Sequence, residues 1–131
     1  MGDIVQPSGW ARPRGYSNGI LAEGRILSIA GQIGWNERCE FVSVDFARQA
    51  EQALRNVLAV VRAGGATAQH VVRLTWYVTD KREYLANANA LGAIYKELFG
   101  AHYPAMTLVQ VADLLEDGAK VEIEATAFIP S

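Results

Sequence analysis

The fold is decided by residues 45–79, which read DFARQAEQALRNVLAVVRAGGATAQHVVRLTWYVT. In the first half, apolar side chains recur with the period of an amphipathic helix that buries one face. Gly64 and Gly65 follow, and glycine readily takes the left-handed conformation that ends a helix. In the second half, β-branched and aromatic residues dominate, which is typical of a strand. The stretch therefore predicts a helix over residues 45–63 and a strand over residues 71–79.

A second helix and further strands are predicted on both sides of this unit. Asp80 and Glu83 have the spacing of a capping box, and a helix follows as far as Phe99. The apolar stripe of this helix, which we expect to be buried, is Leu85, Ala88, Leu91, Tyr95 and Leu98. The remaining strand-like runs are residues 16–22, 25–31, 106–112 and 120–129. Only Glu23 and Gly24 separate the first two runs, which predicts a β-hairpin.

The resulting element order is β-β-α-β-α-β-β. It predicts an α+β fold with both helices on one face of a mixed sheet. The opposite face would carry Arg73, Thr75, Tyr77, Glu122, Thr126 and Phe128. Such a mixture of charged, polar and aromatic groups is typical of a subunit interface that contains pockets. A half-polar sheet face exposed to water has the same pattern, so the pattern alone leaves both interpretations open.

Length and composition are those of one globular domain. The chain has 131 residues, of which 50% are hydrophobic and 20% charged. We therefore expect a single domain over residues 1–131, with an N-terminal arm over residues 1–15. The net charge of −2 does not favour nucleic acid as a partner, because phosphate-binding surfaces are usually basic. No apolar run has the length of a membrane-spanning helix, so no membrane association is expected.

The cysteine and histidine content points to a reducing compartment and to no metal site. Cys39 is the only cysteine, so no internal disulfide is possible. The two histidines, His70 and His102, form no pair with metal-ligand spacing. We expect a cytoplasmic protein that binds no metal.

Residues 104–127 read PAMTLVQVADLLEDGAKVEIEATA, and this stretch resembles the C-terminal signature of the Rid family, the reactive-intermediate deaminases of the RidA/YjgF type. Further segments agree with the family in order and spacing. They are Gly15-Tyr16-Ser17-Asn18-Gly19, Ala30-Gly31-Gln32-Ile33, the helix from Gln49 to Gly64, and Val78-Thr79-Asp80. The resemblance extends over residues 15–129, which is nearly the whole chain.

The resemblance implies a fold, an assembly and a chemistry. Rid proteins have a chorismate-mutase-like α+β fold and form homotrimers, in which three sheets close into a central barrel with a cleft at each subunit interface. Their best-known activity is the hydrolysis of reactive imines and enamines to a 2-oxo acid and ammonia, without a cofactor. Older family names refer to endoribonuclease L-PSP. The resemblance therefore implies a small-molecule ligand, no cofactor and a homotrimer.

The most informative departure from the family pattern is Met106. In deaminating members the residue after Pro-Ala is an arginine that binds the substrate carboxylate, whereas a thioether supplies neither charge nor hydrogen-bond donors. The chain thus resembles the subgroups that lack this arginine, and Met106 is interpreted as an apolar pocket wall. Arg73 on the sheet face, or Arg14 in the arm, could supply a displaced positive charge. Solvated arginines are the alternative interpretation for both.

Glu122 is the candidate catalytic residue, because it matches the carboxylate of the family cleft. Its role would be to activate water for attack on an imine carbon and to move the proton. Glu124 lies on the same predicted face and has a weaker claim. The alternative for both carboxylates is hydrogen bonding at a subunit interface.

Three further residues are candidates for substrate binding. Tyr16 matches the family's cleft tyrosine, and the amide of Gln32 could bind the substrate. Trp35 could wall the pocket. Each has a structural alternative, namely a packed strand aromatic, a strand-end cap and a loop-packing residue. An asparagine of the family's second helix corresponds to Asn87 or Asn89, but the sequence does not decide between them.

Two classes of function remain open at this point. One is cofactor-independent hydrolysis of an imine, an enamine or a related C–N bond, with Glu122 handling the water. The other is a trimer that binds a small molecule without turnover, which the loss of the arginine favours. Endoribonuclease activity is the least favoured, because the chain is acidic and shows no histidine pair for acid–base chemistry.

Overall fold

The computed structural model describes residues 2–131, and their fold is α+β. The strands are β1 (Asp3–Val5), β2 (Gly19–Leu21), β3 (Arg25–Gln32), β4 (Val71–Val78), β5 (Ala105–Gln110) and β6 (Val121–Ile129). The helices are α1 (Phe46–Ala63), α2 (Lys81–Ala86) and α3 (Ala88–Phe99), and a 3₁₀ turn at Ala68–His70 precedes β4. The predicted fold class, helices packed on one face of a mixed sheet, is confirmed.

The main sheet has the strand order β3-β6-β4-β5. Strand β6 pairs antiparallel with both β3 and β4, whereas β5 pairs parallel with β4. The sheet is therefore mixed, and β3 and β5 are its two edges. This order places Glu122 one strand from the β3 edge and Met106 on the β5 edge itself.

The predicted hairpin between residues 16–22 and 25–31 is wrong. Strand β2 pairs with β1 in a separate two-stranded sheet, in which Ile4 lies opposite Ile20. Gly24 connects the two sheets at a positive φ of 133°, and a Cβ there would overlap the carbonyl oxygen of Ile129. The partner strand lies in the glycine- and proline-rich arm, and three residues are too few to show a strand period.

Helix α1 covers the sheet as predicted. The Asp45 carboxylate caps its first turn by accepting a hydrogen bond from the backbone N–H of Arg48. Leu54, Val57 and Val61 are almost completely buried. They belong to one core cluster with the inward side chains of β4 and β6, including Leu74 and Ile123. The helix ends at Gly64, as its sequence indicates.

The second predicted helix is interrupted at Asn87. The Asp80 cap is confirmed, since its carboxylate accepts from the backbone N–H of Arg82, but the Glu83 side chain binds Lys120 instead of closing a capping box. The side-chain amide of Asn87 donates to the carbonyl oxygen of Glu83 at 2.7 Å. The break changes the phase of the helical stripe, so Leu85, which is 64% exposed, and Ala88, which is also exposed, are not buried as predicted.

Both central strands alternate between the two faces of the sheet. In β6, Val121, Ile123 and Ala127 are buried, and the residues between them face the other side. In β4, an irregularity between Val71 and Arg73 places Val71 in the core and leaves Val72 partly exposed.

Within residues 2–131, no helix has the length and hydrophobicity needed to cross a bilayer.

Candidate active site

Glu122 lies on the open face of the sheet, opposite Tyr77 of β4. The Tyr77 hydroxyl donates a 2.6 Å hydrogen bond to Glu124 Oε1, and this bond raises the pKa of Tyr77 above its usual value. Glu124 is thus occupied by a neighbour. Among residues 2–131, no hydrogen bond or ion pair engages the Glu122 carboxylate, so it is free to bind water or a proton.

Strand β3 holds the Glu122 side chain in place through a glycine. A Cβ at Gly31 would overlap Glu122 Oε2 and would lie 2.7 Å from its carboxyl carbon. Only glycine leaves room for the carboxylate against the backbone of the neighbouring strand. The Gly31-Gln32 segment that resembles the family turn therefore contributes its backbone to the position of Glu122.

Met106 lies on the other face of the sheet. It pairs with Leu74, which is fully buried, and packs against the core under the helices. Between α2, α3 and the sheet there is a cavity of about 240 Å³, which we call the aromatic chamber. Its lining is Gly15, Trp76, Tyr84, Ala88, Leu91, Gly92, Tyr95, Tyr103 and Met106. Met106 is thus a wall of an apolar cavity, as its chemistry indicates.

Tyr16 lies next to this chamber and is 40% exposed. It lines an adjoining cavity of about 440 Å³ together with Trp10 and Arg12, and Gly15 and Tyr103 border both cavities. The backbone N–H of the following serine binds the carbonyl oxygen of the proline that precedes β5. The segment containing Tyr16 is thereby fixed beside the start of β5. Arg12 at this position is a feature that the aperiodic arm did not reveal.

Gln32 and Trp35 make mainly local contacts. Gln32 pairs with Ile123, whose side chain is in the core, and its amide donates to the carbonyl oxygen of Ala30 at 3.2 Å. Trp35 packs against Phe41 with ring centroids 5.9 Å apart. Neither side chain is placed beside Glu122 by these contacts. A role of either side chain in substrate binding stays a prediction.

Arg73 lies on the same open face as Glu122. It pairs with Thr126, is exposed, and forms no ion pair with any residue between 2 and 131. Its positive charge slightly opposes the rise in the pKa of Tyr77. Arg73 is therefore a cation on the side of the sheet away from Met106.

The asparagines of the second helix do not line the chamber. Asn87 ends α2, and Asn89 is exposed in the first turn of α3. The α3 residues on the chamber wall are Ala88, Leu91, Gly92 and Tyr95. Helical periodicity indicates which of these side chains face inward, but it does not reveal that space is left between them.

The described residues 2–131 include no group of three or more His, Cys, Asp or Glu side chains arranged to hold a metal.

Within a single chain, the candidate site therefore consists of two separate halves. A free carboxylate stands on the open face near the β3 edge, and an apolar chamber lies under the helices at the β5 edge. The first half can activate water and transfer a proton. The second can hold an apolar group. The sheet separates the two halves.

Comparisons with known proteins agree with this architecture. The family model described as Endoribonuclease L-PSP matches residues 10–129. A Homo sapiens protein named 2-iminobutanoate/2-iminopropanoate deaminase is 35% identical over 113 residues, which is 86% of this chain and 78% of that protein. The crystal structure of YyfB, a Rid-family protein of unknown function from Yersinia pestis, has a TM-score of 0.87 at 34% identity and covers 98% of both chains.

A second solved structure is also similar to this chain. The YjgF gene product of Escherichia coli has a TM-score of 0.68 at 36% identity, over 86% of this chain and 87% of that one. The family model covers most of the chain, including both halves of the candidate site. The chain therefore belongs to the Rid family, whose sequence model carries the description Endoribonuclease L-PSP.

Proposed function

We propose that this protein hydrolyses the C=N bond of an imine, or of the imine tautomer of an enamine, without a cofactor. The observation that carries the proposal is the Glu122 carboxylate, which has no hydrogen-bond or ion-pair partner among residues 2–131 and lies against the backbone at Gly31. The relatives named 2-iminobutanoate/2-iminopropanoate deaminase support the reaction class. Met106 argues against a substrate that depends on a carboxylate clamp.

The chemistry follows from a single carboxylate. Glu122 takes a proton from a water molecule as the water oxygen bonds to the imine carbon, and it passes this proton to the imine nitrogen, which gives a carbinolamine. Glu122 then takes the proton of the carbinolamine hydroxyl and delivers it to the amino nitrogen, so that the C–N bond breaks and ammonia leaves as the C=O bond forms. The balance is one imine and one water giving one carbonyl compound and one ammonia.

We further propose that the complete site forms between two copies of the chain in a homotrimer. The sheet separates Glu122 from Met106 within one protomer, so a substrate that touches both must lie between protomers. Strands β3 and β5 are the free edges of the sheet, and the two halves lie near opposite edges. If the β5 edge of one copy approaches the β3 edge of the next, the chamber of one protomer meets the carboxylate of its neighbour.

A small-molecule-binding trimer without turnover is the second candidate function. The specific observation in its favour is the apolar wall at Met106, since the charge that holds a 2-imino acid is missing. Both candidates predict a ligand in the same cleft. Only the first predicts that a neutral replacement of Glu122 changes a rate.

The distinguishing experiment replaces Glu122 with glutamine. Imines are generated in situ with an amino-acid oxidase, and the loss of trapped imine is followed with each variant. Glu122→Gln is nearly isosteric and removes the proton acceptor, so we expect the rate to fall by about two orders of magnitude or more. Glu124→Gln is the matched control and should retain most of the activity, because its partner Tyr77 can still donate a hydrogen bond. Unchanged activity in Glu122→Gln would make Glu122 a structural residue.

A further inference from the structure

The aromatic chamber has the chemistry of an apolar ligand site. Aromatic rings supply much of its wall, and Leu91 and Met106 supply aliphatic surface. No carboxylate, ammonium, guanidinium or imidazole group is among its lining residues. Burial raises the pKa of both Tyr84 and Tyr95, so their phenols stay neutral. A charged group that entered the chamber would find no counter-ion among these side chains.

The size of the chamber fits one or two fused rings. An engineered cavity of about 150 Å³ already admits benzene, and this one has a volume of about 240 Å³. Its walls are held by stacking, since Tyr95 lies between Phe99 and Tyr103 with ring centroids 4.5 Å and 5.8 Å away. The space is therefore bounded by fixed rings and not only by mobile side chains.

Two positions in the wall indicate that a guest belongs there. Trp76 is 3% exposed, and its indole nitrogen has no hydrogen-bond partner among residues 2–131. A buried donor without an acceptor is costly, and the π face of an aromatic guest, or an oxygen or nitrogen atom on that guest, can accept its hydrogen bond. Gly92 lies inside α3, where glycine is a poor helix former. Gly92 is exposed, and a Cβ there would meet nothing within 4 Å, so open space lies beside it at the chamber wall.

We propose that the aromatic chamber receives an uncharged aromatic or branched apolar group of the ligand, and that this group defines the substrate class. Together with the proposed function, on which this second part rests, the substrate is an imine that carries such a group, and short 2-imino acids are poor substrates. Met106 is then a specificity-determining residue. The occupancy of the chamber by an apolar ring does not depend on turnover.

The test uses indole as the probe and 2-oxobutanoate as the small charged comparison, with binding to the full-length protein measured by calorimetry. We expect indole to bind with a dissociation constant below about 1 mM and 2-oxobutanoate to bind at least tenfold more weakly. Gly92→Phe fills the chamber and should weaken indole binding by tenfold or more. Gly92→Ala is the matched control, because a methyl group leaves most of the volume, and it should change binding by less than about threefold.

A crystal structure with indole gives a second readout that does not depend on how well Gly92→Phe folds. Density between Trp76 and Tyr95 is expected. Density elsewhere, no binding by the unmodified protein, or equal binding by a folded Gly92→Phe variant would overturn the proposal.

The activity assay separates this inference from the proposed function. If the inference holds, the imine derived from phenylalanine should be hydrolysed at least tenfold faster than the imine derived from alanine. If both are hydrolysed equally and indole does not bind, the proposed function stands and the inference fails. If indole binds as expected and no imine is hydrolysed, the chamber assignment stands and the proposed function fails.

Discussion

At the scale of single residues, the main question about substrate specificity concerns Met106. Its side chain packs against the core beside Leu74 and forms part of an uncharged wall. A guanidinium at this position would bind a carboxylate through two charge-assisted hydrogen bonds, which a thioether cannot form. The loss of such a pair costs about 1.5–3 kcal/mol. This amounts to roughly one to two orders of magnitude in kcat/KM.

We therefore predict that Met106→Arg raises kcat/KM for the imine of alanine by about tenfold. The gain should be incomplete, because the groups around Met106 are apolar and were not arranged for a guanidinium. Met106→Leu is the control and should leave this rate low. The measurement is the oxidase-coupled assay described for Glu122. High activity of the unmodified protein on short 2-imino acids would refute the argument and would direct attention to Arg14 or Arg73.

Gly31 provides a second prediction at this scale. In Gly31→Ala the new Cβ would overlap the Glu122 carboxylate, which must then swing away from the β3 backbone. We expect the fold to persist, since the displaced atoms are the end of a side chain, and kcat to fall by about tenfold or more. Gly19→Ala in β2 is the matched control, because a Cβ there lies at an ordinary 3.5 Å from Val5. Full activity in Gly31→Ala would show that the position of Glu122 is not critical.

At the scale of elements, α1 is joined to the rest of the fold by a buried polar side chain. Gln49 is 1% exposed. Its amide nitrogen donates to the carbonyl oxygens of Ser43 and Gly118, and its amide oxygen accepts from the backbone N–H of Lys120. One helical residue thus satisfies three backbone groups in the loop before α1 and the turn before β6. The turn leads directly into the strand that carries Glu122.

Gln49→Leu should therefore destabilise the protein by about 2–4 kcal/mol, because it removes the three hydrogen bonds that this buried side chain makes to the backbone. Gln52→Leu is the control from the same helix, since within residues 2–131 the side chain of Gln52 hydrogen-bonds to Asn56 alone, one turn further along the helix, and it should cost less than about 1 kcal/mol. Urea denaturation at one protein concentration measures both. Equal stability of the two variants would show that the Gln49 bonds are replaced by water.

At the scale of the whole molecule, the open face is the surface that a monomer would expose. Besides the carboxylates and Arg73 it carries apolar groups, of which Ile26 is 65% and Val109 41% exposed. Burying such groups between copies removes them from water. A homotrimer that buries this face would also join the two halves of the site. No single copy can join them, because the sheet lies between them.

The homotrimer is accordingly a prediction with a direct measurement. Sedimentation equilibrium at micromolar concentration should give three times the protomer mass of 14.3 kDa. A folded monomer under these conditions would refute it.

Mixed trimers test the shared site itself. Glu122→Gln and Gly92→Phe subunits are each expected to be inactive alone. Random mixing should restore roughly one quarter of the sites if chamber and carboxylate come from different protomers. No recovery would place the whole site within one copy.

The sequence by itself determined which side of its own strand or helix each side chain occupies. The alternation of β6 and the period of α1 assigned Ile123 to the core and Glu122 to the open face, because burial on one side imposes the periods of strand and helix. It also located the Asp80 cap and indicated that Met106 is an apolar wall. These features depend on residues close together in the chain.

Only the tertiary structure decided how distant segments meet. Three features depend on strand pairing and on packing volume, which the local periodicity of the sequence does not contain. They are the partner strand of β2, the break at Asn87 and the space beside Gly92. Pattern placed Trp76 in the core, but only the packed chain shows that its indole nitrogen lacks a partner and lines a chamber. Likewise, sequence order gave no sign that Met106 and Glu122 lie on opposite faces of one sheet, because that separation follows from the strand register, in which Met106 lies beside the buried Leu74 and Glu122 beside Tyr77.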